Sequence, residues 1–445
     1  MKKILCVLTI ILIAALLAAC GGDETDAYAD NQAEAYDPQP TPPQIVIHTQ
    51  ENPPTGAGAT TTTDGELVIV PPTREELLTD LDMLVRYLEH TFPHHGVVYR
   101  RFGVNFLENA ANLREQIESP DFEPDWHDFR VALMNNFFFH PDISFPVANI
   151  AINSQMPFPQ NMAAWIETGM WWFEPDEPPY TPPPVEVSIL EEGRIGYIRL
   201  YDFALDGMGA AGNAARIVSD FILEIADFEH LIIDIRDAGG GTPNLWENVL
   251  IAPNLQEEIT QYFHAFTMNH TRNTLALYNL RQVLGGGGTW QRTAQTDIMT
   301  FTEMPELPYL DTAIAAYFTE GFTFGRTIGP DMAQFGAVPF AGQMWLLIDD
   351  EVGGAAAMFA SLMHFADVAT LVGEPVGGNT SMLAWAQNPQ MNFVTLPDAG
   401  MTFFYNFVYI TDHLGRAIDE YVTRPHVYNM DGMDALETVL VLINQ

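Results

Sequence analysis

An apolar run in the middle of the chain leads into a charged turn and three glycines: Leu231-Ile232-Ile233-Asp234-Ile235-Arg236-Asp237-Ala238-Gly239-Gly240-Gly241. The run is typical of a strand that is buried on both faces of a sheet. Consecutive glycines allow several backbone N–H groups to point into one space, which suits an anion. Taken alone, the pattern favours a structural turn held by an ion pair between Asp234 and Arg236.

A second apolar run ends in a similar turn: Trp345-Leu346-Leu347-Ile348-Asp349-Asp350-Glu351-Val352-Gly353-Gly354-Ala355. It predicts a strand, a tight turn and a helix start, the geometry of a nucleophile elbow. The turn contains no Ser, Thr or Cys. From the residue types alone, an ordinary strand-to-helix turn is therefore favoured. A third run, Leu371–Val372, enters a turn at Gly377-Gly378-Asn379. We call the turn before Ala355 the elbow and this one the second glycine turn.

Strands and helices alternate around these segments, which predicts an α/β fold with parallel pairing. The apolar patterns predict strands at 193–200, 230–235, 344–348 and 369–372, and helices at 210–226 and 355–366. Residues 255–340 show no clear period, so they are expected to be irregular.

The N-terminal part of the body has helical patterns instead. Thr73 and Glu76 have capping-box spacing at the start of the first, and two more follow at about 104–118 and 125–139. The sequence predicts a small helical domain over 71–150, a Pro-rich linker over 151–185 and a second domain over 186–445.

The first 20 residues, MKKILCVLTIILIAALLAAC, combine a basic start, an apolar core and a small-residue end, as in a secretory signal. The end resembles a bacterial lipoprotein signal, which implies lipidation of Cys20. The alternative is a plain membrane helix, for which the apolar run is short. Residues 21–70 are acidic and rich in Pro and Thr, and predict a disordered tether.

The charge balance excludes several functions. The formal net charge is −40, which argues against a nucleic-acid partner. The only lysines are Lys2 and Lys3, and the only cysteines are Cys6 and Cys20. The mature body therefore has no lysine base, thiolate nucleophile or cysteine metal site, and we expect neither a metal nor another cofactor.

Together and in this order, these segments resemble the tail-specific proteases, or C-terminal processing peptidases. The similarity is greatest to the short, tricorn-core-like branch without a PDZ module. It also includes the segment from Thr395 to Gly400 and the C-terminal segment from Arg424 to Glu437, about 260 residues in all. The resemblance implies a ClpP/crotonase-like core of ββα units, preceded by the helical N-terminal domain, and serine-type peptidase ancestry.

The resemblance also implies positions for the site residues. The nucleophilic serine falls on Gly354, so the nucleophile is missing. The lysine of longer members falls on Asn379, and the histidine of the short branch falls loosely on Asp142, with His140 as a displaced alternative. Gly239 and Gly240, with the N–H of Ala355, are predicted to form an oxyanion-hole-like cradle.

Other candidate residues have ordinary explanations. Ser361 and His364 share a face of the elbow helix but lie beyond its first turn, and His90, His94 and His95 are expected at an exposed helix end. Thr380 and Ser381 are hydroxyls near the second glycine turn. The remaining candidates for a catalytic carboxylate are Asp412 and Glu420, in a chain that has many exposed acids.

The sequence thus predicts a lipid-anchored, extracytoplasmic protein with a degenerate peptidase site that binds the C-terminal segments of peptides or proteins. Its only membrane contact would be the anchor. Two alternatives stay open: an active peptidase that uses an unusual hydroxyl, such as Thr380 or Ser381, or a scaffold lipoprotein without a groove.

Overall fold

The structure is a computed structural model of the 445-residue chain. It describes residues 59–61, 67–69, 72–103, 105–133, 152–153, 184–203, 208–239, 243–268, 294–295, 297–378, 393–396, 398–399, 401–405 and 408–445. All of them lie in one compact unit, Asn52–Gln445. Within these ranges, no helix has both the length and the apolar character that a bilayer crossing requires.

The larger sheet has six strands in the order β16-β12-β11-β6-β5-β4. The first two strands in chain order, Val185–Glu191 and Ile195–Leu200, form an antiparallel hairpin, and all other neighbours pair in parallel. The strands are β4 (Val185–Glu191), β5 (Ile195–Leu200), β6 (His230–Asp234), β11 (Gln343–Ile348), β12 (Thr370–Gly373) and β16 (Val427–Tyr428).

Three helices accompany this sheet: α5 (Met208–Glu224), α8 (Gly354–Phe365) and α9 (Ala435–Ile443). One core cluster joins α5 and α8 to one set of strand side chains, and a second joins α9 to another set. Both faces of the central strands are covered, which explains why their sequences are continuously apolar. The β4–β5–α5 order is a ββα unit, and the predicted α/β fold class is confirmed. The strands and helices predicted for this sheet and its covering helices α5 and α8 differ from the observed ones by one or two residues.

The segment predicted to be irregular contains the longest strand pair of the second sheet, so that expectation is wrong. β7 (Ile259–Met268) and β10 (Phe318–Ile328) pair antiparallel over almost their whole length. The sheet order is β15-β7-β10-β8, with β9 also on β10. Its shorter strands are β8 (Ala294–Gln295), β9 (Met299–Thr300) and β15 (Val408–Asp412). The strands of this pair are separated by about 50 residues, so neither a hairpin turn nor a local period reveals them.

The helices before the first ββα unit are α1 (Arg74–Thr91), α2 (His95–Phe102), α3 (Phe106–Glu118) and α4 (Trp126–Leu133). Thr73 and Glu76 form the predicted capping box. The sequence patterns did not predict α2. Apolar side chains of α1 and α3 share a core cluster with Phe263 of β7 and Phe322 of β10.

Small elements complete the described chain. β1 (Ala59–Thr61) and β2 (Leu67–Ile69) pair antiparallel within the range expected to be a disordered tether. β3 (Ile152–Asn153), β13 (Phe393–Leu396) and β14 (Met401–Tyr405) form a three-stranded sheet. A helical segment, Asn244–Trp246 (α6), continues as a π-helix through Ile251, and α7 is Thr312–Ala315. The predicted domain boundaries stay predictions.

A buried acid joins α1 to the loop before β14. The Asp80 side chain is fully buried, and its Oδ2 accepts the N–H of Ala399 at 2.6 Å. Burial raises the pKa of Asp80 to about 7. Because this pKa lies above the unfolded value of about 3.9, Asp80 stabilises the fold fully at low pH, and this contribution is lost as the pH rises through about 7.

We therefore expect Asp80→Asn to stabilise the protein, and to do so more at pH 8 than at pH 5. The asparagine keeps an acceptor for Ala399 and removes the ionisation. The increase in the free energy of unfolding should be larger at pH 8 by about 1–3 kcal/mol, measured by urea unfolding at both pH values. Glu75→Gln, an exposed change on the same helix, should show no such difference. An equal effect of Asp80→Asn at both pH values would contradict the raised pKa.

Candidate active site

The elbow is an acidic turn between β11 and α8. After β11 ends at Ile348, Asp349 Oδ1 accepts the N–H groups of Glu351 at 3.2 Å and Val352 at 3.1 Å. A side chain that hydrogen-bonds the backbone two and three residues on forms a tight turn without help from the sheet. Gly353, with φ −135°, is then the N-cap of α8. The predicted strand–turn–helix arrangement is present.

Gly354, at the predicted nucleophile position, has φ +56°. This lies in the left-handed region, where a residue with a Cβ is strained. The elbow therefore has a backbone conformation that would cost free energy in a residue with a Cβ. Gly354 has no side chain and adopts it without that cost.

Three turns are joined by backbone hydrogen bonds at this point. The N–H of Gly353 donates to Ala238 O at 3.1 Å, in the turn after β6. The N–H of Gly354 donates to Gly378 O at 2.9 Å, and the N–H of Gly377 donates to Val352 O at 2.8 Å. The structure thus brings the three glycine segments singled out in the sequence to one edge of the sheet, because parallel strands end on the same side.

The second glycine turn needs its glycines. A Cβ on Gly377 would lie 2.3 Å from Asp350 O, and a Cβ on Gly378, where φ is +92°, would lie 2.8 Å from an Arg101 nitrogen. The close approach of this turn to the elbow therefore depends on the absence of side chains.

Two of the predicted cradle donors have no acceptor in the part of the chain that the structure describes. The N–H groups of Gly239 and Ala355 make no hydrogen bond there. Gly239 directly follows Ala238, and Ala355 lies two residues after Gly353. Because Ala238 and Gly353 are hydrogen-bonded to each other, the two donors lie on neighbouring segments. A Cβ placed on Gly239 would meet no heavy atom within 4 Å, so there is open space beside this donor.

Behind the cradle, Asp234 is fully buried and accepts several hydrogen bonds. The expected ion pair with Arg236 is present, with Nη2 to Oδ2 at 2.7 Å. Arg199 of β5 donates to Oδ1 at 2.5 Å, and Tyr197 Oη donates to Oδ2 at 2.8 Å. Arg199 also donates to the backbone carbonyl of Arg236 at 2.5 Å. These contacts hold the start of the turn that carries Gly239, and the sequence analysis missed Arg199 and Tyr197.

Acidic side chains surround the same edge. Asp237 has φ +60°, and its N–H donates to Asp349 Oδ1 at 3.2 Å. A hydrogen bond with Asp237, with burial, raises the pKa of Glu351, and burial raises the pKa of Asp349. These groups oppose the approach of an anion, so they reduce the affinity that the cradle N–H groups can give.

A cation that the sequence analysis missed also reaches the site. Arg101 of α2 donates from Nη1 to Gly377 O at 2.8 Å and to Asp419 O at 2.7 Å. It is separated from Gly377 by 276 residues, and no local pattern marks it. The chain has no lysine after Lys3, but the fold places the Arg101 guanidinium against the second glycine turn.

Most of the remaining predicted site residues lie outside the described ranges: Cys20, His140, Asp142, Gly240, Asn379, Thr380 and Ser381. Their predicted roles stay predictions, as do those of Gly239, Gly354 and Ala355. Within the described residues, no three His, Asp or Glu side chains are grouped so that they would hold a metal ion.

The other candidate side chains that the structure describes, on the elbow helix and near the C-terminus, each contact another side chain. Ser361 Oγ accepts from Gln261 at 3.2 Å, and the His364 ring stacks on His426 with centroids 4.5 Å apart. Asp412 accepts from Arg416 Nε at 2.7 Å, and Glu420 pairs with Arg100.

The expectation of an exposed helix end is wrong for His94, which is 1 % exposed. Its Nε2 lies 2.9 Å from Val408 O, and its ring lies 5.6 Å from that of Tyr409. The helix start packs on β15, and burial lowers the pKa of His94 and takes that of His95 to about 4.

Comparison with solved structures gives several similar chains. Mature CPAF has a TM-score of 0.47 and 10% identity, covering 83% of this chain and 96% of that one. A lipoprotein from Streptococcus agalactiae has a TM-score of 0.38 and 11% identity, with 85% and 98% covered. The photosystem II D1 C-terminal processing protease has a TM-score of 0.29 and 14% identity, with 59% and 53% covered.

A comparison with curated proteins found no match. The profile described as Peptidase family S41, in contrast, matches residues 194–427. This match covers more than half of the chain, from just before β5 to the first residue of β16, and includes all three glycine turns. The chain therefore belongs to peptidase family S41, as the sequence resemblance predicted.

Proposed function

We propose that this S41 family protein is a lipid-anchored, extracytoplasmic, degenerate peptidase that binds the C-terminal segments of peptides or proteins. The main support is the combination of Gly354 at the elbow with the N–H groups of Gly239 and Ala355, which have no acceptor among the residues that the structure describes. Peptidases of this family act on peptide or protein substrates, so a retained groove would accept the same class of ligand.

Loss of catalysis follows from what the elbow lacks. Gly354 offers no nucleophile, and no lysine is present in the mature body to serve as a base. A hydroxyl elsewhere would still need a base within hydrogen-bond reach. Removal of a serine nucleophile typically costs about 10⁶-fold in turnover, so the remaining backbone donors would support binding far better than hydrolysis.

Retention of binding is supported by the backbone geometry. The N-terminus of α8 carries a partial positive charge, and the N–H of Ala355 lies in its first turn. The N–H of Gly239 adds a second donor beside open space. Backbone N–H groups of this kind capture terminal carboxylates of peptides. The acids at Asp237 and Glu351 keep the affinity low.

The test is binding of a peptide with an apolar C-terminus, measured by fluorescence anisotropy. We expect a dissociation constant on the order of 0.1–1 mM, and at least tenfold weaker binding of the matching C-terminal amide. Gly239→Leu should fill the space beside the donor and weaken binding by at least tenfold, while changing the free energy of unfolding by less than about 1 kcal/mol. Equal binding of acid and amide would contradict carboxylate capture.

The membrane attachment is tested separately. Cys20 carries the only thiol at the predicted processing site. A stable membrane anchor needs at least two acyl chains, and one lipidated residue can carry both. We expect Cys20→Ala to abolish incorporation of labelled palmitate and to leave the protein outside the membrane fraction, whereas Cys6→Ala, the matched control, should label normally. Palmitate labelling of Cys20→Ala would refute the anchor.

A further inference from the structure

The short helix α2 (His95–Phe102) makes side-chain contacts with several loops, one of which is the second glycine turn beside the elbow. Arg100 donates to both carboxylate oxygens of Glu420, at 2.5 and 2.7 Å, and pairs with Asp311 at 2.9 Å. Arg101 points elsewhere and donates to the carbonyls of Gly377 and Asp419. The two adjacent arginines thus have different partners. Arg100 anchors α2 through ion pairs with Asp311 and Glu420, and Arg101 contacts the second glycine turn itself.

The contacts of Arg101 are of a strong kind. Burial lowers the pKa of Arg101, while Asp419 and Glu420 act in the opposite direction, and an arginine stays protonated in proteins. Hydrogen bonds from a charged donor to a carbonyl are shorter and stronger than those between neutral groups. A single guanidinium nitrogen bridges Gly377 O and Asp419 O at 2.8 and 2.7 Å, so it fixes the distance between these two carbonyls.

Gly377 and Gly378 are themselves hydrogen-bonded to the elbow. The N–H of Gly377 donates to Val352 O, and the next carbonyl, Gly378 O, accepts the N–H of Gly354. The carbonyl held by Arg101 and the acceptor that orients Gly354 therefore belong to adjacent residues, Gly377 and Gly378. Movement of the second glycine turn would release both hydrogen bonds and change the direction of the following N–H, that of Ala355.

We infer that Arg101 is a positioning residue, through which α2 holds the second glycine turn against the elbow and sets the geometry of the cradle. The effect of Arg101 on ligand affinity rests on the proposed binding of peptides in the cradle. Because coupling between two equilibria is reciprocal, a peptide in the cradle should also strengthen the docking of α2.

The test is hydrogen exchange of the full chain, followed by mass spectrometry on fragments that contain the Gly354 and Gly377 amides. Arg101→Met removes the guanidinium but keeps an unbranched side chain. Arg100→Met on the same helix is the matched control, because it removes the ion pairs with Asp311 and Glu420 without touching the glycine turn. We expect about tenfold faster exchange at Gly354 and Gly377 in Arg101→Met, the factor for one lost charge-assisted hydrogen bond.

The ratio between the two variants decides the outcome. Exchange at both amides that is at least threefold faster in Arg101→Met than in Arg100→Met supports the positioning role. A smaller ratio overturns it, because loosening of α2 as a whole would then explain the change. If Arg101→Met does not fold, the same ratio is measured with Arg101→Lys and Arg100→Lys, which keep the charge but replace the planar group.

Peptide binding provides the second readout. We expect Arg101→Met to weaken binding of the apolar C-terminal peptide by at least threefold more than Arg100→Met does, and added peptide to slow exchange of the α2 amides in the wild type. If the wild type binds no peptide, the proposed function fails, while the exchange ratio still decides the role of Arg101. Normal binding by an Arg101→Met protein with a loosened elbow would refute its effect on the cradle.

Discussion

Gly354→Ser is expected to leave the protein without efficient peptidase activity, although it restores the residue type at the elbow. A serine hydroxyl needs a positioned base, and the chain has no lysine after Lys3, while Asp142 is predicted at the histidine position. Turnover should therefore remain close to the wild-type level, about 10⁶-fold below that of a complete serine peptidase. Neither wild type nor variant should form a covalent adduct with a fluorophosphonate probe.

The same substitution should destabilise the fold. Gly354 has φ +56°, a conformation that costs a residue with a Cβ about 1–2 kcal/mol. Urea unfolding should therefore give a lower free energy of unfolding for Gly354→Ser, and the control Gly354→Ala should lose a similar amount because it has the same strain without the hydroxyl. The degenerate-site proposal fails if purified wild type hydrolyses peptides and loses that activity when one hydroxyl near Gly239 or Gly354 is removed.

Asp234→Ala is expected to have the largest effect on stability, a loss of about 3–5 kcal/mol in the free energy of unfolding. Asp234 is fully buried, and its removal would leave Arg199 and Arg236 facing each other without the carboxylate that both bind. Tyr197 would lose its acceptor as well. Arg199 would keep Asp237 at 3.1 Å and Arg236 would keep Asp434 at 3.0 Å, but both of these acids are exposed and offset the loss of the buried carboxylate only weakly.

The matched control is Asp434→Ser. Asp434 pairs with Arg236 at 3.0 Å from an exposed position, and it also caps α9, a role that serine can fill. Removal of this exposed pair should cost no more than about 1 kcal/mol, measured by urea unfolding in parallel. A loss below about 2 kcal/mol for Asp234→Ala would mean that the two arginines find other partners.

The central sheet and its connections were predictable because their signals are local. The run from Leu231 to Ile235 is apolar throughout, and the run before Asp349 ends in a turn whose carboxylate bonds its own backbone. Such patterns depend only on neighbouring residues, so strand–turn–helix order follows from them. The same applies to the predicted loss of the nucleophile, which is a matter of residue identity at Gly354.

The second sheet was not predictable by the same reasoning. β7 and β10 are far apart in the chain, and their pairing leaves no turn signal between them. Long-range pairing is decided by which surfaces become buried together, and a local period does not contain that information. α2 was missed for a related reason, since eight residues give only two helical turns in which to detect a period.

The sequence by itself determined the residue chemistry of this protein: an acidic body without lysine, a glycine where the resemblance implies a serine, and three apolar runs that end in glycine turns. Tertiary structure alone decided the conformation of Gly354, the meeting of the three turns, and the placement of Arg199 and Arg101 at one edge. The physical reason is that backbone angles and charge partners at this edge are set by hydrogen bonds between segments that are not neighbours in the chain, such as Gly353 with Ala238 and Arg101 with Gly377. No residue type alone specifies such bonds, because they require strand ends and loops from different parts of the chain to lie at one edge of the sheet.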